Sequence, residues 1–157
     1  MCEIDIPTEP AFNRFELYLK MLDLLGSKDP YQRVRGIVIA AEIGSEYRVD
    51  EGANDPSYVV RKATARLTKN PDVIRKLLGD HDEEVLLGLL DNPHSPIWVL
   101  VGILEFAVTN SEEYLAAQTA AVLVQRGITY IPRCMAKDMP SSKCRFYLKK
   151  AAKRQTK

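Results

Sequence analysis

The sequence predicts an all-α chain of about eight or nine helices stacked as antiparallel pairs. Three observations carry that expectation. Four segments open alike at intervals of 26, 25 and 30 residues: Asp29-Pro30-Tyr31-Gln32, Asp55-Pro56-Ser57-Tyr58, Asp80-His81-Asp82-Glu83 and Asn110-Ser111-Glu112-Glu113. The apolar residues that follow recur at helical spacing, as in Val34, Ile37, Val38 and Ala41. No run alternates apolar and polar residues between hairpin turns, so no strand is expected.

The leading helix, Pro10 to Leu25, carries Phe12, Phe15, Leu19, Leu22 and Leu25 on one stripe and stops at Gly26. Each of the four repeat starts places Asp or Asn where its side chain can accept hydrogen bonds from free amides of a helix's first turn. Two continue with proline, which suits the first helical position because no amide hydrogen is lost there. Five residues past the starts stand Val34, Val60, Val85 and Leu115, and twelve past them Ala41, Leu67 and Val122 keep an apolar residue. Second helices fit between the starts. Asn70-Pro71 opens one through Val73, Ile74, Leu77 and Leu78, with Gly79 as its stop, and Ser95-Pro96 opens another through Trp98 and Leu104. Trp98 is expected in the core, because Val99, Leu100 and Val101 follow it. Gly127 ends the helix begun at Ser111, and a last helix is expected from Ser142 to about Lys153. The whole chain reads as one domain, with a capping helix over 1–28, repeats over 29–126, and a terminal helix with a basic tail over 127–157.

Asp29-Pro30 with Val34-Arg35, and Asp55-Pro56 with Val60-Arg61, resemble the DxxxxVR line of HEAT-like repeats. Val60-Arg61 through Asn70-Pro71, then Leu77, Asp80, Asp82 and Val85 through Asn92-Pro93, also resemble the leucine-rich repeat variant. The likeness covers residues 29–126 and departs at Leu86, which stands where an arginine would, and at Leu115-Ala116 in the fourth unit. It implies an α-solenoid whose helix pairs leave a concave face, and a scaffold or binding role. In such a chain no pair can cover its own apolar face, so neighbours stack and end helices cap the stack.

Function is read from what is present and what is missing. No glycine-rich phosphate loop, GxSxG elbow or Cys-His pairing is found, so no enzyme and no cofactor is expected. His81 and His94 are the sole histidines and lack ligand spacing, and Asp80 to Glu84 point in different directions around one turn, so no metal is expected. Cys2, Cys134 and Cys144 are odd in number and widely spaced, which reads as reduced thiols in a cytoplasmic protein; a Cys134–Cys144 bridge would require export. Met1 to Pro7 shows no secretory pattern, and the longest apolar run, Ile97 to Leu104, is too short for a membrane span.

The candidate binding residues fall into three groups. Arg35 and Arg61 stand at matching repeat positions and form either a phosphate- or carboxylate-gripping strip or a structural ladder with repeat aspartates. Lys62, Arg66 and Lys69 share a helix face next to Arg61. Ser45 to Asp55, with Tyr47, Asp50 and Glu51, looks like a degraded second helix and hence an acidic binding loop. Charge is uneven: residues 1–131 hold 13 basic and 20 acidic side chains (−7), while residues 132–157 hold nine and one (+8). Lys149, Lys150, Lys153 and Arg154 make that tail an electrostatic handle. The leading expectation is a non-catalytic, protein-binding scaffold, adaptor or inhibitor that uses the concave face. The alternative is a nucleic-acid binder using the basic helix faces and the tail.

Overall fold

Three helix starts in this chain are built from pairs of acceptors two residues apart: Ser27 with Asp29, Thr68 with Asn70, and Asp80 with Asp82. Asp29 accepts from the Tyr31 amide at 2.9 Å and caps α2, Pro30–Glu42. Ser27 Oγ in turn accepts from the Asp29 amide at 3.2 Å. The same step recurs at Asp55, which accepts from Ser57 N at 2.8 Å, and at Asp80, which accepts from Asp82 N at 3.0 Å. Ser57 and Asp82, not Asp55 and Asp80, are therefore the caps of α4 (Tyr58–Leu67) and α6 (Glu83–Asp91). Pro56 lies ahead of its helix. In the fourth unit the cap is Glu112 instead of Asn110, and α8 runs Glu113–Gln125.

The computed structural model describes residues 10–131 and 141–155, and among these it is all-α, with nine α-helices and no strand. Besides α2, α4, α6 and α8 these are α1 (Pro10–Leu25), α3 (Glu46–Glu51), α5 (Pro71–Leu78), α7 (Ile97–Thr109) and α9 (Ser141–Gln155). Asn70 caps α5 with Pro71 at its first position and Gly79 at its end, as the sequence predicts. The segment 45–55 is not a loop. It folds as α3 followed by a 3-10 turn at Gly52–Asn54.

Helices α2, α4 and α6 lie side by side in that order, α1 packs on α2, and α8 packs on α7 and α9. Helix α5 touches both α6 and α7. Val60, Val85 and Leu115 are fully buried and Val34 packs on the core edge. Two apolar clusters result. A larger one runs from Ala53 and Ala65 through Ile74, Leu89, Leu100 and Leu115 to Leu148 and Ala151. A smaller one joins Met21, Ile37, Ala40, Val49 and Val60.

Two positions depart from the sequence reading. On α1, Met21 is buried, while Phe15 and Leu19 are 60% and 51% exposed and Leu22 also faces outward. The side chain of Phe12 lies outside the described residues. Trp98 is 39% exposed, because it shares a stripe of α7 with Gly102, Glu105 and Thr109, whereas Val99, Leu100 and Val101 turn inward. Cys144 is a free, buried thiol; Cys2 and Cys134 lie outside the described residues. No helix is long and apolar enough to cross a membrane among the described residues.

Candidate protein-binding surface

The frame under the surface is set by two arginine forks. Arg33 on α2 donates from Nε and Nη2 to both oxygens of Asp55, at 2.7 and 2.8 Å, and from Nη1 to the Ser27 and Lys28 carbonyls at 3.0 Å. Arg61 on α4 repeats this on Asp80 at 2.7 and 3.2 Å, with Nη1 on the Asp55 and Pro56 carbonyls at 3.0 Å. Each fork ties its own helix start to the start of the next unit, a geometry that suits the planar guanidinium. Burial works to raise the Asp55 and Asp80 carboxyls. The arginine forks and the Ser57 and Asp82 amides outweigh it, and both groups sit below their ordinary value. Leu86 occupies the third such position, so the ladder stops there. Asn92 takes over, donating Nδ2 to the Ala65 and Thr68 carbonyls at 2.7 and 2.8 Å. Arg126, at the end of α8, closes the frame on the Ser95 and Asn92 carbonyls.

Arg61 is thus a ladder residue, already occupied, and not part of an open basic strip. Arg35 is not its counterpart. It is exposed and takes part in no ion pair among the described residues; Arg33 holds the rung. The basic side chains of α4 are likewise matched by carboxylates, Lys62 by Glu84 and Arg66 by Asp91 at 3.4 Å; Lys69 lies past the end of α4 instead of on the same helix face, and pairs with Glu46 at 3.5 Å. Asp50 is structural. It accepts from Thr68 Oγ1 at 2.7 Å and Asn70 Nδ2 at 2.8 Å, tying α3 to the start of α5. Glu51 accepts from Arg48 at 2.7 Å, and that bond lowers its carboxyl below the ordinary value. Tyr47 stays outward, 69% exposed, with the Arg48 guanidinium 5.6 Å from its ring centre.

The sequence reading counted Arg75 only as a continuation of the basic patch, placed Trp98 inside, and did not bring the two together. Arg75 on α5 lies over the Trp98 ring of α7 at 5.5 Å, so the two form one exposed, stacked pair. Beside it on α5, Lys76 bonds the Asn54 side chain, linking α5 to the turn that follows α3. Helices α3, α5 and α7 therefore present Tyr47, Arg48, Arg75 and Trp98 outward from a frame whose helix starts are fixed. The stripe Trp98, Gly102, Glu105 and Thr109, with its two polar members, is the sequence signal that marks Trp98 as outward.

Burial, with Glu105 nearby, raises the Cys144 thiol and keeps it protonated rather than nucleophilic. No group of three His, Cys, Asp or Glu side chains could hold a metal ion among the described residues. A cleft of about 330 Å³ lies between α1 and the first rung, but its charged lining, Arg33 with Asp55 and Arg48 with Glu51, is already paired. On α9, Lys149, Lys150, Lys153 and Arg154 are exposed, with Lys150 Nζ 5.7 Å from the Phe146 ring centre. No family model, curated protein or solved structure matches the chain.

Proposed function

We propose that the chain is a non-catalytic recognition module: a short HEAT-like solenoid of stacked antiparallel helix pairs that binds another protein in the cytoplasm. The order α2, α4, α6 and the contacts of α5 with α7 and α7 with α9 support the stacked reading. The observation that carries the binding reading is the Arg75–Trp98 pair. Tryptophan and arginine are the residue types most concentrated at the energetic centres of protein interfaces. Here they are held against each other before any partner arrives, so little side-chain freedom remains to be lost on binding. The Asp50–Asn70 and Lys76–Asn54 bonds tie α5 to α3 and the turn after it, which suits a preformed partner face.

A photo-crosslinking residue placed at Trp98 or at Tyr47 tests this in cells of the source organism. One discrete protein should be captured from both positions and not from Tyr114 on α8. Trp98→Ala should then weaken that complex by about 2 kcal/mol, roughly thirtyfold. Equal capture from Tyr114, or none from Trp98, overturns the reading.

The nucleic-acid alternative keeps one supporting observation. Helix α9 contains basic side chains and no acidic one. That reading requires binding to DNA or RNA that falls steeply with salt and is lost when residues 149–157 are removed. It loses its other support, since Lys62, Arg66 and Lys69 are paired with carboxylates.

A further inference from the structure

We infer that the outer face of α9 docks on an anionic lipid surface, a role that goes beyond the protein-binding reading and uses a different element of the fold. Successive residues of a helix turn by about 100°. At that step Cys144, Leu148 and Ala151 share the side of α9 that joins the larger apolar cluster, against α7 and α8. Phe146 marks the opposite side and is 59% exposed. Lys143, Lys149, Lys150 and Lys153 all lie within about 60° of it. Arg145 and Arg154 stand at the margins, and all six cations are exposed. The helix holds no acidic residue. Six cations grouped around one aromatic ring form the pattern that anionic headgroups attract. Docking of this kind needs no spanning helix.

Shape and charge favour a lipid surface over a nucleic-acid strand. From Lys143 to Arg154 the cations cover about 17 Å at the helical rise per residue, which matches about five nucleotides of one strand. A longer strand must run on over the body, whose residues 1–131 carry a balance of −7. At the start of α9 the way is bordered by Glu113, which lines one pocket with Lys143 and Phe146. A flat surface meets the outer helix face alone and leaves the acidic body in water. Four of the six cations are lysines, point charges that make no demand on phosphate geometry, whereas forked phosphate recognition favours arginine. The Phe146 ring is also braced: Lys150 Nζ lies 5.7 Å from its centre, and Tyr147 meets it edge to face at 5.4 Å. That arrangement hinders stacking on a base and leaves the exposed edge of the ring to enter a headgroup layer.

Flotation of the full chain with vesicles of phosphatidylcholine containing about one-third phosphatidylserine tests the inference. The protein should float with these vesicles, stay behind with phosphatidylcholine alone, and be released by about 0.5 M salt. Lys150→Glu should weaken binding roughly 25-fold, since each cation near such a surface contributes about fivefold. Arg35→Glu changes the net charge by the same amount from α2 and should leave binding nearly unchanged. Phe146→Ala should weaken it roughly fivefold. Phe146→Trp in a Trp98→Phe background should give emission that shifts to the blue on the anionic vesicles. Each variant should keep the wild-type circular dichroism spectrum. No flotation with the anionic vesicles, equal flotation with neutral ones, equal losses from Lys150→Glu and Arg35→Glu, or an unshifted Phe146→Trp emission overturns the inference. Binding of an RNA or DNA oligonucleotide that persists at the salt which releases the vesicles overturns it as well.

Discussion

Arg33 and Arg35 stand two residues apart on one helix with the same charge, and their surroundings assign them opposite weights. Arg33 satisfies both oxygens of Asp55 and two backbone carbonyls, with its side chain 16% exposed. Removing it leaves a mostly buried carboxylate short of partners, so Arg33→Ala should cost about 2–3 kcal/mol. Arg35→Ala should stay within about 0.5 kcal/mol, as surface changes usually do. Urea denaturation of the two variants measures the contrast. The acid side follows from the same rungs. Asp55 and Asp80 have folded values below their unfolded ones, so the stability they give is fully present above about pH 4 and is lost as pH falls through the depressed values. Melting temperature should therefore drop steeply below about pH 4 in the wild type, and less steeply in Asp55→Asn/Asp80→Asn, which starts lower. The misplacement of this rung in the sequence has a physical origin. Asp29, Asp55 and Asp80 all accept from the amide two residues on, but only Asp29 is itself the cap. Counting from the true caps, Asp29 and Ser57, puts Arg33 and Arg61 in the same place.

Between α4 and α6 the constraint is distance. A methyl group added at Gly88 would lie 2.8 Å from the Lys62 carbonyl oxygen and 3.0 Å from Ala65 Cβ, neither of which can swing away. Gly88→Ala should cost about 1–3 kcal/mol, read as a lower melting temperature without loss of helix. On the neighbouring side, Gly52 lets the turn after α3 approach Thr64 and Ile37, where a Cβ would collide. Thr64 is fully buried, and its hydroxyl has no hydrogen-bond partner among the described residues. Thr64→Val keeps the shape and removes the unsatisfied oxygen, so it should raise stability by up to about 1 kcal/mol rather than lower it. Elements of this kind are only partly legible in sequence. Helix existence was readable from spacing and caps in α2, α5 and α9. The short α3 was hidden because six residues carry too little periodicity, and the outward stripe of α1 was hidden because both of its faces are apolar.

At the scale of the molecule, the helical class was legible because helical periodicity recurs in every unit. The placement of the charged surface was not, because ion pairs such as Lys62–Glu84 and Lys69–Glu46 join residues 22 and 23 positions apart. The two apolar clusters add a property that periodicity does not reveal. The smaller cluster holds α1, α2 and α3 against the start of α4, and it rests on five fully buried side chains. The larger cluster carries the rest of the core from α4 to α9. What joins them is α4, which puts Val60 in the smaller cluster and Ala65 in the larger, with the Asp50 bonds to Thr68 and Asn70 alongside; the Arg33–Asp55 rung braces the smaller cluster from within. Proteins open locally where least apolar surface is buried, so the end with the smaller cluster opens first. Native-state hydrogen exchange should therefore show lower protection free energies in α2 than in α6 and α7. Arg33→Ala should widen that gap by speeding exchange in α1 and α2 while leaving α7 and α8 nearly unchanged. Uniform protection along the chain, or a uniform response to Arg33→Ala, would mean that the two clusters unfold as one cooperative unit.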